Sequence, residues 1–477
     1  MRGCGLQPYT DDAMTAQSYH RACAMAAVSL RAVMLMVVLS SFLLCMAALS
    51  AKSFQSTAGS LVAPDEFVRP HSLSKPGFTT HTCIGGHGRA HNWRTTTCLF
   101  TDVCYNSADA TFEYVVPAHE HAAFLFPGQS PDKIELVSLN YVMLDTREKV
   151  VQPLRLRLKV ATVPLPYDYT SDVAVLHQPY SPQNFGHLLN DDLFPIYTAL
   201  EMFGYNFSQC RLVFTEDCDN NWLYPQNEYF AGACRALQQK WLPALKSPKQ
   251  YLPQMNNTCF KHMIVGLHSL AWSSSPYLLG RGFVFQHMID ELVAIKGQPL
   301  TAPIKQKVVI IKKLPSAGSS RRAILNADEL VTALSVAFPA VEVTGVFVAN
   351  LSATDEIELM RSATVVITGD GGGAWGTVFV SSGTTVVYLD FYNFKDGASV
   401  AVELAWWSFL PHLRTVQYEV LPSEIVPNYE GAGSLLQWRN MVDYRLSVER
   451  VTRVVREGLY HAGVRHGLVG SYNYTMH

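Results

Sequence analysis

A histidine and an aspartate four residues apart, His187 and Asp191, are the first pair in this 477-residue chain whose types and spacing could do chemistry. Phe194 follows at i+7, so on a helix one face presents imidazole, carboxylate and an apolar anchor together. A helix opening after Pro182 aims the pair into a cleft, where either group could take a proton from a hydroxyl. Two further clusters could hold an anion. Val365, Val366 and Ile367 form an apolar run suited to a strand buried on both faces, and it ends in Gly369-Asp370-Gly371-Gly372-Gly373. A turn without side chains lets a ligand reach main-chain N–H groups, and a short helix starting near Ala374 adds its N-terminal dipole, which favours phosphate. The loop 319–326 brings two guanidinium groups, Arg321 and Arg322, ahead of a helix capped by Asn326, and such groups can clamp a diphosphate bidentately. Lys312 and Lys313 are lesser cationic candidates. Each cluster also has an ordinary reading, as a surface ion pair, a sharp turn or a solvated basic loop.

The elements that must carry these residues read as two halves. Beyond a linker at 297–303, strand-like 305–313, a helix after Asn326, strand 341–346, helix 355–361, strand 365–368 and strand 385–389 alternate as β and α, which requires a parallel sheet. Parallel sheets bind ligands beyond the C-terminal ends of their strands, where both the basic loop and the glycine turn fall. Before the linker, strand-like runs dominate from 111 to 175; the stretch 211–263 adds Leu212-Val213-Phe214 and an aromatic-rich helix over 229–242. The tail over 434–460 carries Leu435, Trp438, Val442, Leu446, Val451 and Val455 at helical spacing and is expected to pack as an amphipathic helix across the lobes.

Composition narrows the class. A net charge of −2 gives no electrostatic case for nucleic acid. The 20 residues 32–51 are free of charge, and as a helix they can cross the roughly 30 Å of hydrocarbon in a bilayer. Arg21 and Arg31 before the run against Lys52 after it favour a cytosolic N-terminus, hence a signal anchor with a lumenal body; a cleaved signal peptide is the alternative. The organisation read from the sequence is a cytosolic tail 1–31, an anchor 32–51, a Ser/Thr/Pro/Gly-rich stem 52–95, an N-terminal lobe 96–300, a C-terminal lobe 304–433 and the terminal helix 434–477. Four Asn-x-Ser/Thr acceptors, Asn206, Asn256, Asn350 and Asn473, suit a lumenal body. Seven of the ten cysteines lie between Cys83 and Cys259, which suggests disulfides bracing the first half with one thiol left over, in a connectivity that spacing does not give. His119, Glu120 and His121 alternate without an HExxH or CxxC frame and read as loop residues, so no metal is assigned.

Gly371-Gly372-Gly373-Ala374-Trp375-Gly376 satisfies G-x-G-x-x-G, and Asp390 lies near the distance of a ribose-binding acid, so an NAD-dependent oxidoreductase is a rival. Against it, only a few helical residues fit between Gly376 and the break at Ser381-Ser382-Gly383, whereas a crossover helix runs about 10 to 12 residues.

Taken together, these residues resemble glycosyltransferase family 61, the group of plant xylosyl- and arabinosyltransferases and animal protein O-linked GlcNAc transferases. The resemblance is carried by Thr97-Cys98-Leu-Phe-Thr-Asp-Val-Cys104-Tyr, by Asn184-Phe-Gly-His187-Leu-Leu-Asn-Asp191-Asp-Leu-Phe-Pro195, by Arg321-Arg322-x-x-x-Asn326-x-x-Glu329-Leu330 and by the glycine turn. Asp370 stands where the family pattern has His, Gly376 where Asn is usual, and Tyr388 where the strand has Glu. The resemblance implies an α/β fold of GT-B type, two Rossmann-like lobes with the nucleotide-sugar, a UDP-sugar, in the C-terminal lobe and a glycan or glycoprotein acceptor in the N-terminal one. It implies inverting transfer in a Golgi or endoplasmic reticulum membrane protein with no required cofactor. Asp191 or His187 would be the base, and Arg321, Arg322, Asp370, Gly371, Gly372, Gly373 and Asn184 would hold the donor. The departures from pattern leave a second expectation, a sugar- or nucleotide-binding membrane protein without turnover.

Overall fold

The structure is a computed structural model that describes residues 77–85, 93, 96–118, 129–139, 153–163, 165, 167–179, 181–220, 227–242, 249–267, 281–299, 302–313, 322–369, 371–390, 392–393, 398–399, 407, 410–427 and 442–466. All of them belong to one compact unit within 72–477. The expected anchor 32–51 lies outside the described residues, and no helix among those described is long and apolar enough to cross a membrane. Arg321, Asp370, His119, Glu120, His121 and Asn473 also lie outside them.

Two sheets make up an α/β molecule. The first holds β1 (Thr80–Gly85), β2 (Thr96–Asn106), β3 (Thr111–Pro117), β4 (Leu156–Ala161), β5 (Asp168–His177), β6 (Cys210–Phe214), β7 (Lys249–Tyr251) and β8 (Thr258–Val265). Its order is β4-β3-β2-β8-β5-β6-β7, with β1 on β2. β5 pairs in parallel with β6 and β8, while β2 runs antiparallel to β1, β3 and β8. Helix α1 follows β5 in three joined pieces, Phe185–His187, a π-turn Leu188–Leu193 and Phe194–Met202; α2 is Glu228–Trp241 and α3 Arg281–Ile295. The segment expected as a stem already contributes β1 to the folded body, and within the strand-like stretch 111–175 the described residues 130–138 form only isolated bridges, at Ser130, Lys133, Ile134 and Ser138.

The second sheet bears out the alternating pattern. It comprises β9 (Lys307–Ile311), β10 (Glu342–Val346), β11 (Val365–Thr368), β12 (Thr385–Asp390) and, after a small antiparallel pair β13 (Tyr392–Asn393) and β14 (Ala398–Ser399), β15 (Arg414–Glu419). The order β10-β9-β11-β12-β15 is parallel throughout. Helices α4 (Ala327–Ala337), α5 (Ala353–Ser362) and α6 (Val448–His466) flank it, and β16 (Ile425–Pro427) pairs antiparallel with β17 (Val442–Tyr444). Both faces of this sheet are covered, which is why its strands read as unbroken apolar runs. Val308, Ile310, Val365, Ile367, Val387 and Leu389 face a core with α4 and α6, whereas Val309, Ile311, Val366, Val386 and Tyr388 face the other way.

That second face does not close on its own lobe. Its residues share one cluster with Val173, Val175 and Ile264 of the first sheet and with the buried faces of α1, α3 and α5. Phe185, Trp241 and Phe379 stack within the cluster, Phe185 on Trp241 at 4.6 Å and Trp241 on Phe379 at 5.2 Å between centroids. Each such pair adds roughly 0.5–1.5 kcal/mol beyond the area it buries. An ion pair crosses the same seam: Lys240 of α2 donates to Glu356 of α5 and to the Val348 carbonyl at 3.1 Å.

The tail corrects the expected helix. Val442 and Tyr444 are buried in β17, not on a helix, and α6 starts only at Val448. Its buried Val451, Val455 and Leu459 belong to the C-terminal sheet's core, so it packs on that lobe and not across the two. β17 instead pins the basic loop: Arg322 N donates to Val442 O, Leu325 N to Tyr444 O and Ala323 N to Asp443 Oδ1. Asn326 does not cap α4 through its side chain; the amide clasps Leu446, donating to its carbonyl at 2.9 Å and accepting from its N–H at 3.0 Å.

The cysteines form Cys83–Cys98, Cys104–Cys259 and Cys218–Cys234, with Cys210 buried as the thiol. The first two join residues directly opposed in adjacent strands.

Two outcomes follow from these contacts. Asn326→Ala leaves both Leu446 backbone groups without this partner and should lower unfolding stability by about 2 kcal/mol, read as a fall in denaturant midpoint. In Glu356 burial raises the carboxyl's pKa and Lys240 pulls it down, so Lys240→Met should cost about 3–5 kcal/mol near neutral pH. A carboxyl whose folded pKa is raised contributes stability below its unfolded pKa and loses it as pH rises through the folded value. The Lys240→Met penalty should therefore shrink as pH falls toward 5 and grow toward 8 in a Tm-against-pH series.

Candidate active site

The N-terminus of α1 and the glycine turn after β11 meet at van der Waals distance. Asn184 caps α1, its side-chain oxygen accepting from Gly186 N at 2.9 Å, and that same oxygen lies against Gly372, where a Cβ would come within 2.9 Å. A Cβ on Gly186 would fall 2.5 Å from the Trp375 indole. Both lobes thus need a residue without a side chain at this seam.

Arg322 completes the second lobe's side of the site. Its own φ is +48°, a left-handed conformation that costs a non-glycine residue on the order of 1–3 kcal/mol and is held here by pairing to β17. The guanidinium rests on Gly371, where a Cβ would lie 2.6 Å from Nη2. Gly371 has φ +99° and opens the 3₁₀ helix Gly372–Phe379. Ala374 through Phe379 are buried, while Gly372 and Gly373 are half-buried and form the accessible lip. Lys313 reaches this lip, its Cε 3.9 Å from the Cβ position of Gly373, whereas Lys312 turns outward to Asp328 at 2.7 Å. An anion at the lip would meet main-chain amides, one guanidinium and an ammonium group.

One residue beyond Gly186 stands His187. Its Nδ1 bonds Asp191 Oδ2 at 2.7 Å; the Asp191 side chain is fully buried and the His187 ring 23% exposed. The pair is therefore asymmetric, with a partly exposed imidazole and a buried carboxylate behind it. The expected α-helical spacing is realised as a π-turn, in which Phe194 N donates to Leu189 O. Such single turns are rare and are frequently found at functional sites. Asn190 is buried and ties the turn to the helix start by donating to Gly186 O at 2.7 Å.

Reading the sequence for sites missed the neighbouring pair. His177, the last residue of β5, holds Asp192 Oδ1 at 2.8 Å through Nε2, and both are 2% exposed. A histidine closing a strand and an Asp191-Asp192 doublet on the next helix were the available signals. Other positions resolve plainly. Tyr388 is wholly buried, its ring edge-on to Trp407 at 5.0 Å, and has a packing role. Asp390 is buried and accepts from Gln417 at 2.6 Å. Gly376 fits against Glu356, where a Cβ would lie 2.4 Å from Oε1. The glycine turn follows the third strand of its lobe and leads into a buried 3₁₀ segment, unlike the strand-to-crossover-helix context a dinucleotide fingerprint requires. Asn206, Asn256 and Asn350 are exposed. Among the described residues no group of three or more His, Cys, Asp or Glu is arranged to hold a metal ion.

Comparison with known proteins agrees with this geometry. The family model Glycosyltransferase 61 matches residues 185–387. Three relatives carry the name protein O-linked-mannose beta-1,4-N-acetylglucosaminyltransferase 2. That of Xenopus laevis is 23% identical over 316 residues, 64% of this chain and 51% of its own length. The protein of Canis lupus familiaris is 24% identical over 343 residues, 68% and 54%, and that of Homo sapiens 23% over 358 residues, 71% and 57%. The chain thus spans about half the length of the curated relatives it matches. Residues 185–387, which hold His187, Asp191, Arg322 and the glycine turn, are the part of the chain that is similar to the glycosyltransferase 61 family.

Proposed function

We propose that this chain is a glycosyltransferase that moves a sugar from a UDP-sugar to a hydroxyl of a glycan or glycoprotein with inversion, on a two-lobed GT-B frame. The observation that carries the reading is the meeting, at one seam between the lobes, of the helix start that bears the His187–Asp191 pair with the glycine turn on which Arg322 rests. With Nδ1 engaged by Asp191, Nε2 of His187 is the nitrogen that takes the acceptor's proton. The acceptor oxygen then attacks the anomeric carbon from the face opposite the diphosphate, and the bond from that carbon to the diphosphate oxygen breaks. Arg322 and the amides at Gly372 and Gly373, with Arg321 as a further member of the donor site, stabilise the charge that gathers on the departing UDP, while the Asp370 carboxylate serves the donor through its sugar or ribose hydroxyls. Asn184 holds the turn and the helix together at that point.

The relatives' names give the first donor to test, UDP-N-acetylglucosamine, and an O-linked mannose as acceptor. The charge-free run 32–51, the disulfides and the exposed Asn206, Asn256 and Asn350 support a Golgi or endoplasmic reticulum protein anchored once, with its body in the lumen.

Thermal shift of the purified chain against UDP, UDP-sugars and NAD tests the donor class: UDP and one UDP-sugar should raise Tm, and stabilisation by NAD alone would end the transferase reading. Asp191→Asn, which leaves the ring without its charged partner, should cut donor turnover by roughly 100-fold or more with UDP affinity retained. Unchanged turnover would remove the pair as base, and UDP binding without turnover in the unsubstituted protein would identify a binder. Gly371→Ala places a Cβ on Arg322 and forces an alanine to a φ of +99°, so UDP affinity should drop about tenfold in a titration while turnover at saturating donor changes less.

A further inference from the structure

We infer that His177 and Asp192 form a positioning pair for the proposed proton acceptor: they hold the π-turn in the register that sets the Asp191 carboxylate against His187. The inference rests on the transferase reading for its kinetic consequence but on geometry alone for its structural one.

Asp191 and Asp192 are consecutive, both buried, and bond two different histidines on two different elements. Asp191 is bonded within α1, to the partly exposed ring of His187. Asp192 is bonded outward, to the end of β5, whose carbonyl at His177 is itself fixed by Thr215 N at 3.0 Å. The His177 ring packs edge-on to Phe214 at 6.1 Å, so it cannot swing away from the helix without opening the core beneath it. A π-turn is less favourable than the α-helix it interrupts and persists where tertiary contacts hold it. The 2.8 Å bond from His177 to Asp192 is such a contact, applied one residue from Asp191. Two adjacent carboxylates in a weakly screening interior also repel, and an imidazole on each offsets that cost. Without His177 the cheaper arrangement is for the turn to relax, which moves Asp191 away from Nδ1 of His187.

His177 is buried at the end of β5 and bonds Asp192 there, so donor affinity and catalytic rate should separate. In His177→Leu, turnover of the UDP-sugar at saturation should fall about 100-fold, the size of effect expected from a misplacement on the order of 1 Å, with Kd for UDP within about twofold. His177→Gln, whose amide can still donate to Asp192, should recover most of that loss. A second readout needs no turnover. With histidine side chains labelled for NMR, the His187 ring signal in His177→Leu should move toward its position in Asp191→Asn, while His177→Gln keeps it near that of the unsubstituted protein. Leu and Gln variants with equal rates and an unmoved His187 signal would overturn the inference. So would a Leu variant that loses UDP affinity and Tm together with rate and that Gln does not rescue, since this marks a purely structural residue. An unsubstituted protein that turns over no UDP-sugar sinks the transferase reading instead, and the ring signal still decides whether the pair positions Asp191.

Discussion

Everything at the site depends on how closely two backbones approach. The first turn of α1 and the turn after β11 come together at Gly186 and Gly372 with no room for a methyl group on either, because Trp375 fills one space and Asn184 the other. This contact brings the imidazole of His187 to the same seam as the amides of Gly372 and Gly373. It is steric, not electrostatic, so it sets position without dictating charge. What charge the seam then holds is decided by Arg322, kept in a strained conformation by β17 so that its guanidinium covers Gly371.

The apolar core supports that contact from below. One cluster runs from Val173 and Ile264 of the first sheet through α1, α3 and α5 to Val309, Val366 and Tyr388 of the second. Phe185 belongs to both descriptions: it is the residue after Asn184 at the site and the first ring of the stack onto Trp241 and Phe379. Packing and site geometry are therefore one constraint. The Lys240–Glu356 pair adds an electrostatic tie across the same seam, where Glu356 also packs against Gly376.

Much of this was legible in the sequence because it depended on local pattern. Unbroken runs such as Val365-Val366-Ile367 announce a sheet covered on both faces, and the glycines that follow announce a close approach. His187 and Asp191 could be paired by spacing alone. What escaped depends on register or on distant partners. No residue type distinguishes a π-turn from an α-turn, so the orientation of Asp192 toward His177 had no local sign. Asn326 looked like a helix cap, but 120 residues later Leu446 supplies a backbone pair that satisfies both ends of its amide. Val442 fitted a helical stripe equally well as a strand position, and its role as the rail for Arg322 came only from the folded chain. Cys98 and Cys104, six residues apart, point to partners on opposite sides of β2, so sequence proximity misleads about pairing there.

The cysteines have a consequence for the order in which the molecule is made. All three bridges lie in the first lobe, and the longest, from Cys104 to Cys259, spans 155 residues and joins β2 to β8 at the centre of the first sheet. Once residue 259 has reached an oxidising compartment every one of these links can close, before the strands of the second lobe, from Lys307 onward, have followed it there. The first lobe can thus be locked covalently as a template, and the second, with no bridge of its own among the described residues, can fold against a surface already in place. Its exposed apolar face, Val309, Ile311 and Val366, then has a finished partner waiting in α1 and α3.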